Sequence, residues 1–226
     1  MMIKTINNRT KKSNEVYTPY QLAGQMADAI GAYPVILDPA VGGGALIKPM
    51  RTKGLCQHVI GLDINPEAEG FRFCNESDVC DYTKLDNWSF KKPNAVIMNA
   101  PFNGAGGGQL YPHLFLKKTF ELFGPDIPVV MVTSAGFRNN VRSPHKERWT
   151  FLSEHAHRIT SVMTLLATTF TKKDDSNKDV QVPAEILFFN MPHLPPHMIA
   201  DYSAFEKFAQ RKRSTKKLSK DFQQAA

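Results

Sequence analysis

The residues with the most chemistry to offer are Asn99-Ala100-Pro101-Phe102, which follow the apolar run Ala95-Val96-Ile97-Met98 and lead into the glycine-rich stretch from Asn103 to Gly108. A strand ending in Asn-x-Pro-aromatic places a carboxamide, a backbone carbonyl and a ring face at one point. Those groups suit a planar substrate that carries an NH2 group. An amine conjugated to a ring is a poor nucleophile, because its lone pair is delocalised. Two acceptors on its hydrogens, the Asn99 side-chain oxygen and the Ala100 carbonyl, draw the nitrogen toward tetrahedral geometry. Its lone pair then faces an electrophilic methyl, an effect of positioning and directed hydrogen bonding. Phe102 can stack on the ring. The plainer alternative is a polar turn after a strand.

Two further signals belong to a bound ligand. In Asp38-Pro39-Ala40-Val41-Gly42-Gly43-Gly44, after the apolar Val35 to Leu37, the glycines let the backbone turn sharply and approach a ligand closely. Asp38 can accept from a cationic amine such as that of a methionine moiety. A simple strand-to-helix turn is the alternative. Asp63 closes a second apolar run 25 residues after Asp38, about where a Rossmann fold places a carboxylate on ribose hydroxyls. Asp78 is a candidate acceptor for an adenine amine, with Asp81 a close competitor.

These residues need elements to position them. Pro19 to Ile30 predicts a helix, with Pro in its first turn and an apolar stripe of Leu22, Met26, Ala29 and Ile30. Strands are expected at 35–37, 59–64, 71–76, 95–98, 128–133, 161–170 and 184–190. Helices are expected at 45–53 and 110–123, with a further one within 137–155, and a polar loop at 171–180. Strands alternating with helices imply a parallel sheet, and the closing hairpin adds an antiparallel strand. Asp38, Asp63, Asp78 and Asn99 then all stand at strand ends, where ligand sites of Rossmann-like folds lie.

The chain has 226 residues, 42% of them hydrophobic and 22% charged, enough for one buried core. No apolar run approaches the roughly 18 residues that cross a bilayer, and Met1 to Lys12 is no secretory signal. The three cysteines lack zinc spacing and read as reduced thiols of a cytoplasmic protein. No metal is expected, since the histidines are scattered and His155-Ala-His157 is isolated. The net charge of +7 resides at the ends, with +3 over residues 1–20 and +4 over residues 191–226. Basic ends on a neutral body suit a polyanionic partner, or simply solubility.

These motifs together resemble a class I S-adenosylmethionine-dependent methyltransferase, most like the N6-adenine DNA methyltransferases. Asn99, Pro101 and Phe102 match the Asp/Asn-Pro-Pro-Tyr/Phe motif, and Asp38 to Gly44 match the glycine motif. Tyr17-Thr18-Pro19 matches the aromatic-Thr-Pro segment that contacts the methionine end of the cofactor. The resemblance implies a Rossmann-like α/β fold, a mostly parallel seven-stranded sheet with one antiparallel strand and helices on both faces. It implies cofactor contacts at Tyr17, Thr18, Pro19, Asp38, Gly42, Gly44, Asp63 and Asp78, and catalysis through Asn99, Pro101 and Phe102. Phe170, before Val182-Pro-Ala-Glu-Ile-Leu, resembles the aromatic residue offered to a flipped base, though a core Phe fits as well. Ala100 stands where the family usually has Pro; its carbonyl remains, while proline's fixed φ is lost.

The expected organisation is a basic N-terminal arm (1–14), a single methyltransferase domain (15–192) and a basic extension (193–226). No target-recognition domain is evident, because only 36 residues follow Asn190. Target contacts then fall to short loops, the basic tail or a protein partner. Arg138, Arg142, Lys146, Arg148 and Arg158, interleaved with Phe137, Trp149 and Phe151, suit a nucleic-acid strand, or else an amphipathic helix with its aromatics in the core. The expected activity is S-adenosylmethionine-dependent N6-adenine methylation of DNA by base flipping, in a restriction-modification or phage setting. RNA adenine, a protein glutamine and a non-catalytic subunit of the same fold are the alternatives.

Overall fold

The computed structural model describes residues 18–102, 104–106, 109–138, 146–165, 169–173 and 179–194. Tyr17 and Arg142 lie outside the described residues, as do the 1–14 arm and all but the first two residues of the 193–226 extension. Among the described residues, seven strands form the main sheet: β1 (Val35–Asp38), β2 (His58–Asp63), β3 (Glu76–Val79), β4 (Ala95–Met98), β5 (Val129–Ser134), β6 (Ile159–Thr164) and β7 (Ala184–Phe189). Their order is β3-β2-β1-β4-β5-β7-β6. The first five pair in parallel, and β7 runs antiparallel between β5 and β6.

Buried parallel strands read as continuous apolar runs, and β1 and β4 are buried at every position. Alternation along each strand sends neighbours to opposite faces. On one face Ile36, Ile97, Val130 and Ile186 pack with helices α1 (Tyr20–Ile30) and α2 (Ile47–Thr52). On the other, Leu37, Val96, Met131 and Leu187 pack with Phe115, Leu116 and Phe120 of α3 (Tyr111–Phe123). Helix α4 (Lys146–His155) adds Leu152 to that second core. Successive strands run outward from β1 on one side and from β4 on the other. A crevice opens at the carboxyl ends where the order reverses.

Three expectations shift. The strand expected at 71–76 is instead a 3-10 turn, Glu69–Phe73, and the strand starts later, at Glu76. Phe71 and Phe73 give that segment an apolar look, but they pack against the α1/α2 core from a turn. The strand expected at 161–170 ends at Thr164, so Phe170 stands outside it. The loop at 171–180 carries a short hairpin, Thr171–Lys173 with Asp179–Gln181.

Candidate active site

The carboxyl ends of β1, β2 and β4 open into a cleft of about 800 Å³. Thr18, Asp38, Gly42, Asp63, Asn99 and Pro101 all line it, with the buried Ala100 beside them. Asp38 ends β1 and is 1% exposed. Burial pushes its carboxyl up to about 7; the Ala40 N–H, donating to Oδ1 at 3.1 Å, partly offsets this, and the nearby Asp63 adds to it. A carboxylate in that position gains from any cation that reaches it.

The glycine turn is held from below and from the side. Gly42 and Gly44 have φ of 46° and 74°, a region that L side chains rarely adopt. Asp63 fixes the turn directly, because its Oδ2 accepts from the Gly42 N–H at 2.8 Å while Oδ1 accepts from Asn65 at 2.8 Å. Gly70, in the 3-10 turn, donates its N–H to the Gly42 carbonyl at 2.7 Å. A Cβ on Gly70 would stand 2.5 Å from Val41 Cγ2 and 2.9 Å from Gly44 N. Gly44 does not line the cleft; it faces Phe73, whose ring would lie 2.8 Å from an added Cβ.

Asn99 leaves β4 at the cleft wall, and its Nδ2 donates to Oγ1 of Thr18 at 3.0 Å. The donating end of the carboxamide is thus turned toward Thr18, and Oδ1 is its accepting end. Pro19 supports Thr18 from outside the cleft, as the residue preceding α1, and its carbonyl accepts from Ala23. Ala100 is 1% exposed and packs with the α3 core. Phe102 meets Phe170 edge to face, with ring centroids 5.8 Å apart.

Several candidates stand elsewhere. Asp78 is exposed on β3, accepts from its own neighbour Val79, and does not line the cleft. Asp81 does line it; its Oδ1 accepts from Thr83 N and Oγ1 and its Oδ2 pairs with Lys84. Burial pulls the Asp81 pKa up, but the Thr83 and Lys84 contacts together outweigh it and hold the carboxyl low. Phe170 is 1% exposed, so it supports Phe102 from within the core and presents no ring to a base. Arg138 is committed to the buried Glu185, with Nε at 3.2 Å from Oε1 and Nη2 at 2.9 Å from Oε2. Of the basic and aromatic loop residues, Phe137 is buried under the Arg148 guanidinium, and Trp149 is exposed. Among the described residues no acidic, His and Cys cluster could hold a metal, and no helix is long and apolar enough to cross a membrane.

Sequence reasoning missed Ile64, Cys80, Tyr82, Tyr111 and Phe115 in the cleft wall. Ile64 follows Asp63 directly and is largely exposed, the one of these that strand position could have signalled.

No protein-family model matches the chain, and no curated relative matches it either. Solved structures do. A candidate RNA methyltransferase from Pyrococcus horikoshii is 21% identical, with a TM-score of 0.50 over 77% of this chain and 81% of that one. The type IIG restriction endonuclease BpuSI is 14% identical, with a TM-score of 0.60 over 82% of this chain and 26% of its own. At these identities the likeness establishes the fold, a Rossmann-like methyltransferase fold.

Proposed function

We propose that this protein is an S-adenosylmethionine-dependent methyltransferase that modifies the exocyclic N6 of adenine in nucleic acid, with DNA as the substrate class. One observation carries the reading: Asn99 stands on the wall of the same cleft as Asp38, Asp63 and the glycine turn. The residues present fit the cofactor. Asp38 is a buried carboxyl that a cationic amine would relieve, and Gly42 and Gly43 let a ligand lie against bare backbone. Asp63 or Asp81 can accept from hydroxyl or amine groups further along. Bound there, the cofactor supplies an electrophilic methyl group.

The rest is the work of the chain's own side chains. Asn99 Oδ1 and the Ala100 carbonyl accept the two N6 hydrogens and direct the lone pair into the cleft. Pro101 fixes the backbone after that carbonyl. Phe102, half-buried against Phe170 and just outside the cleft lining, would offer its ring to a base that enters beside Pro101. A base in a duplex must leave the stack to reach this pocket, and the basic chain ends supply backbone affinity.

Transfer of labelled methyl from S-adenosylmethionine into unmethylated DNA, total RNA and protein extract, run side by side, tests this. N6-methyladenine in DNA is the expected product. Label in RNA alone would move the substrate class, label in protein alone would sink the nucleic-acid reading, and failure to bind the cofactor would leave a scaffold.

A further inference from the structure

Helix α2 hangs from the glycine turn at one end, where the Lys48 N–H donates to the Gly44 carbonyl at 3.0 Å. Near its other end Arg51 reaches the 3-10 turn, Glu69–Phe73. The Arg51 Nε donates to the Phe73 carbonyl at 2.5 Å, and its Nη2 donates to Oδ1 of Asn75. That oxygen also accepts from the Val59 N–H at 2.9 Å, so the guanidinium is tied to β2 as well. The 3-10 turn closes back on the glycine turn, because the Gly70 N–H donates to the Gly42 carbonyl at 2.7 Å. Glycine turn, helix, arginine and 3-10 turn thus form a closed ring of contacts. We propose that Arg51 is a positioning residue for the cofactor: it fixes the 3-10 turn against α2, and through Gly70 it holds Gly42 and Gly43 in the shape that receives the ligand. The proposal rests on the reading of this cleft as the S-adenosylmethionine site.

The two turns touch backbone to backbone. A Cβ on Gly70 would stand 2.9 Å from the Gly42 carbonyl oxygen, and one on Gly44 would stand 3.1 Å from Gly70 Cα. A shift of the 3-10 turn is therefore passed to the glycine turn, since close packing leaves no gap to absorb it. The 3-10 turn also brings Glu69 to the cleft wall, beside Ala68, whereas Arg51 itself does not line the cleft. A guanidinium suits the link, because its planar fork presents donors to two acceptors in a fixed geometry. Lys53, two residues further on, ties α2 to α1 instead, through the Gly24 carbonyl and Asp28.

Arg51→Met keeps the aliphatic stem and removes the fork. It should raise the Kd for S-adenosylhomocysteine about tenfold. KM for S-adenosylmethionine should rise with it, while kcat at saturating cofactor stays within about twofold of wild type. Arg51→Lys keeps the charge and loses the fork, so its Kd should fall between the two. Lys53→Met removes a cation from the same helix end and should leave both constants unchanged. Wild-type affinity in Arg51→Met, a lower kcat with KM unchanged, or an equal loss of affinity in Lys53→Met would overturn the proposal.

Amide hydrogen exchange supplies a readout that needs no ligand. In Arg51→Met the Gly70 N–H should exchange at least about tenfold faster, measured relative to Val130 and Met131 within β5, which report opening of the whole sheet. Exchange that is unchanged at Gly70, or equally faster at all three, would refute the positioning role. Because no cofactor is present, that failure is distinct from failure of the wild-type protein to bind S-adenosylhomocysteine, which would remove the cofactor reading and this proposal with it.

Discussion

Burial as deep as that of Asp38 disfavours the charged form of a carboxyl and favours the protonated one. Its pKa is about 7 in the folded protein, above the ordinary carboxylate value that it recovers on unfolding. The folded state therefore keeps a proton that the unfolded chain releases, and folding loses stability as pH rises toward 7. Asp38→Asn retains the acceptor for the Ala40 N–H and removes the charge. That variant should be more stable than the wild type at pH 8, by an amount on the order of a few kcal/mol. The gap should narrow as pH falls from about 7 toward 4, which urea denaturation at several pH values would read. The same variant should lose affinity for S-adenosylhomocysteine. Wild-type affinity should fall by up to about tenfold per unit below pH 7, as Asp38 takes up its proton. Affinity that is flat between pH 6 and 8 would dissociate Asp38 from the cofactor amine. Asn99→Ala should act on a different quantity, cutting methyl transfer by at least about 100-fold while calorimetric cofactor affinity stays within a small factor.

At the scale of elements, the glycine turn is kept in shape by a neighbour that sequence reading took for a strand. Phe71 and Phe73 sit in the stretch 71–76, which was expected to be a strand. In the fold they anchor a 3-10 turn, from which Gly70 reaches the Gly42 carbonyl. Gly70→Ala would drive a methyl into Val41, Gly42 and Gly44. It should cost about 1–3 kcal/mol in urea unfolding and lower cofactor affinity in the same protein. Unchanged affinity would show that the turn tolerates displacement. The strands at β1, β2, β4 and β5 were legible because a buried parallel strand writes itself as an apolar run, and the antiparallel β7 reads the same way because it is buried at every position. Long-range contacts leave no such trace, and for that reason Asp81 over Asp78, the Phe102–Phe170 contact and the Arg138–Glu185 pair were hidden. Arg138 looked like a phosphate ligand because an exposed arginine and one committed to a buried glutamate are alike in sequence. Its replacement by Ala strands the Glu185 carboxylate, 7% exposed at its side chain, and should appear mainly as lost stability, with little change in affinity for DNA.

For the whole molecule, the division of labour lies between a neutral body that holds the cleft and chain ends that carry all of the net charge of +7. The described body shows its arginines largely engaged: Arg138 with Glu185, Arg158 with Asp126, and Arg72 with Glu69. Paired guanidinium groups release few counterions from a phosphate backbone. The electrostatic part of nucleic-acid affinity should then come from the ends, above all from Arg211, Lys212, Arg213, Lys216, Lys217 and Lys220. Replacing these six residues by glutamine should weaken binding to duplex DNA uniformly across sequences. The slope of log affinity against log salt should flatten by up to about 5, near 0.9 for each phosphate contact removed. Cofactor affinity and the pH response of Asp38 should not move, since both belong to the cleft. Fluorescence anisotropy over a salt series reads the slope directly. A slope equal to that of the wild type would place the phosphate contacts on the body of the fold, and the loops beyond the carboxyl ends of the strands would then have to supply them.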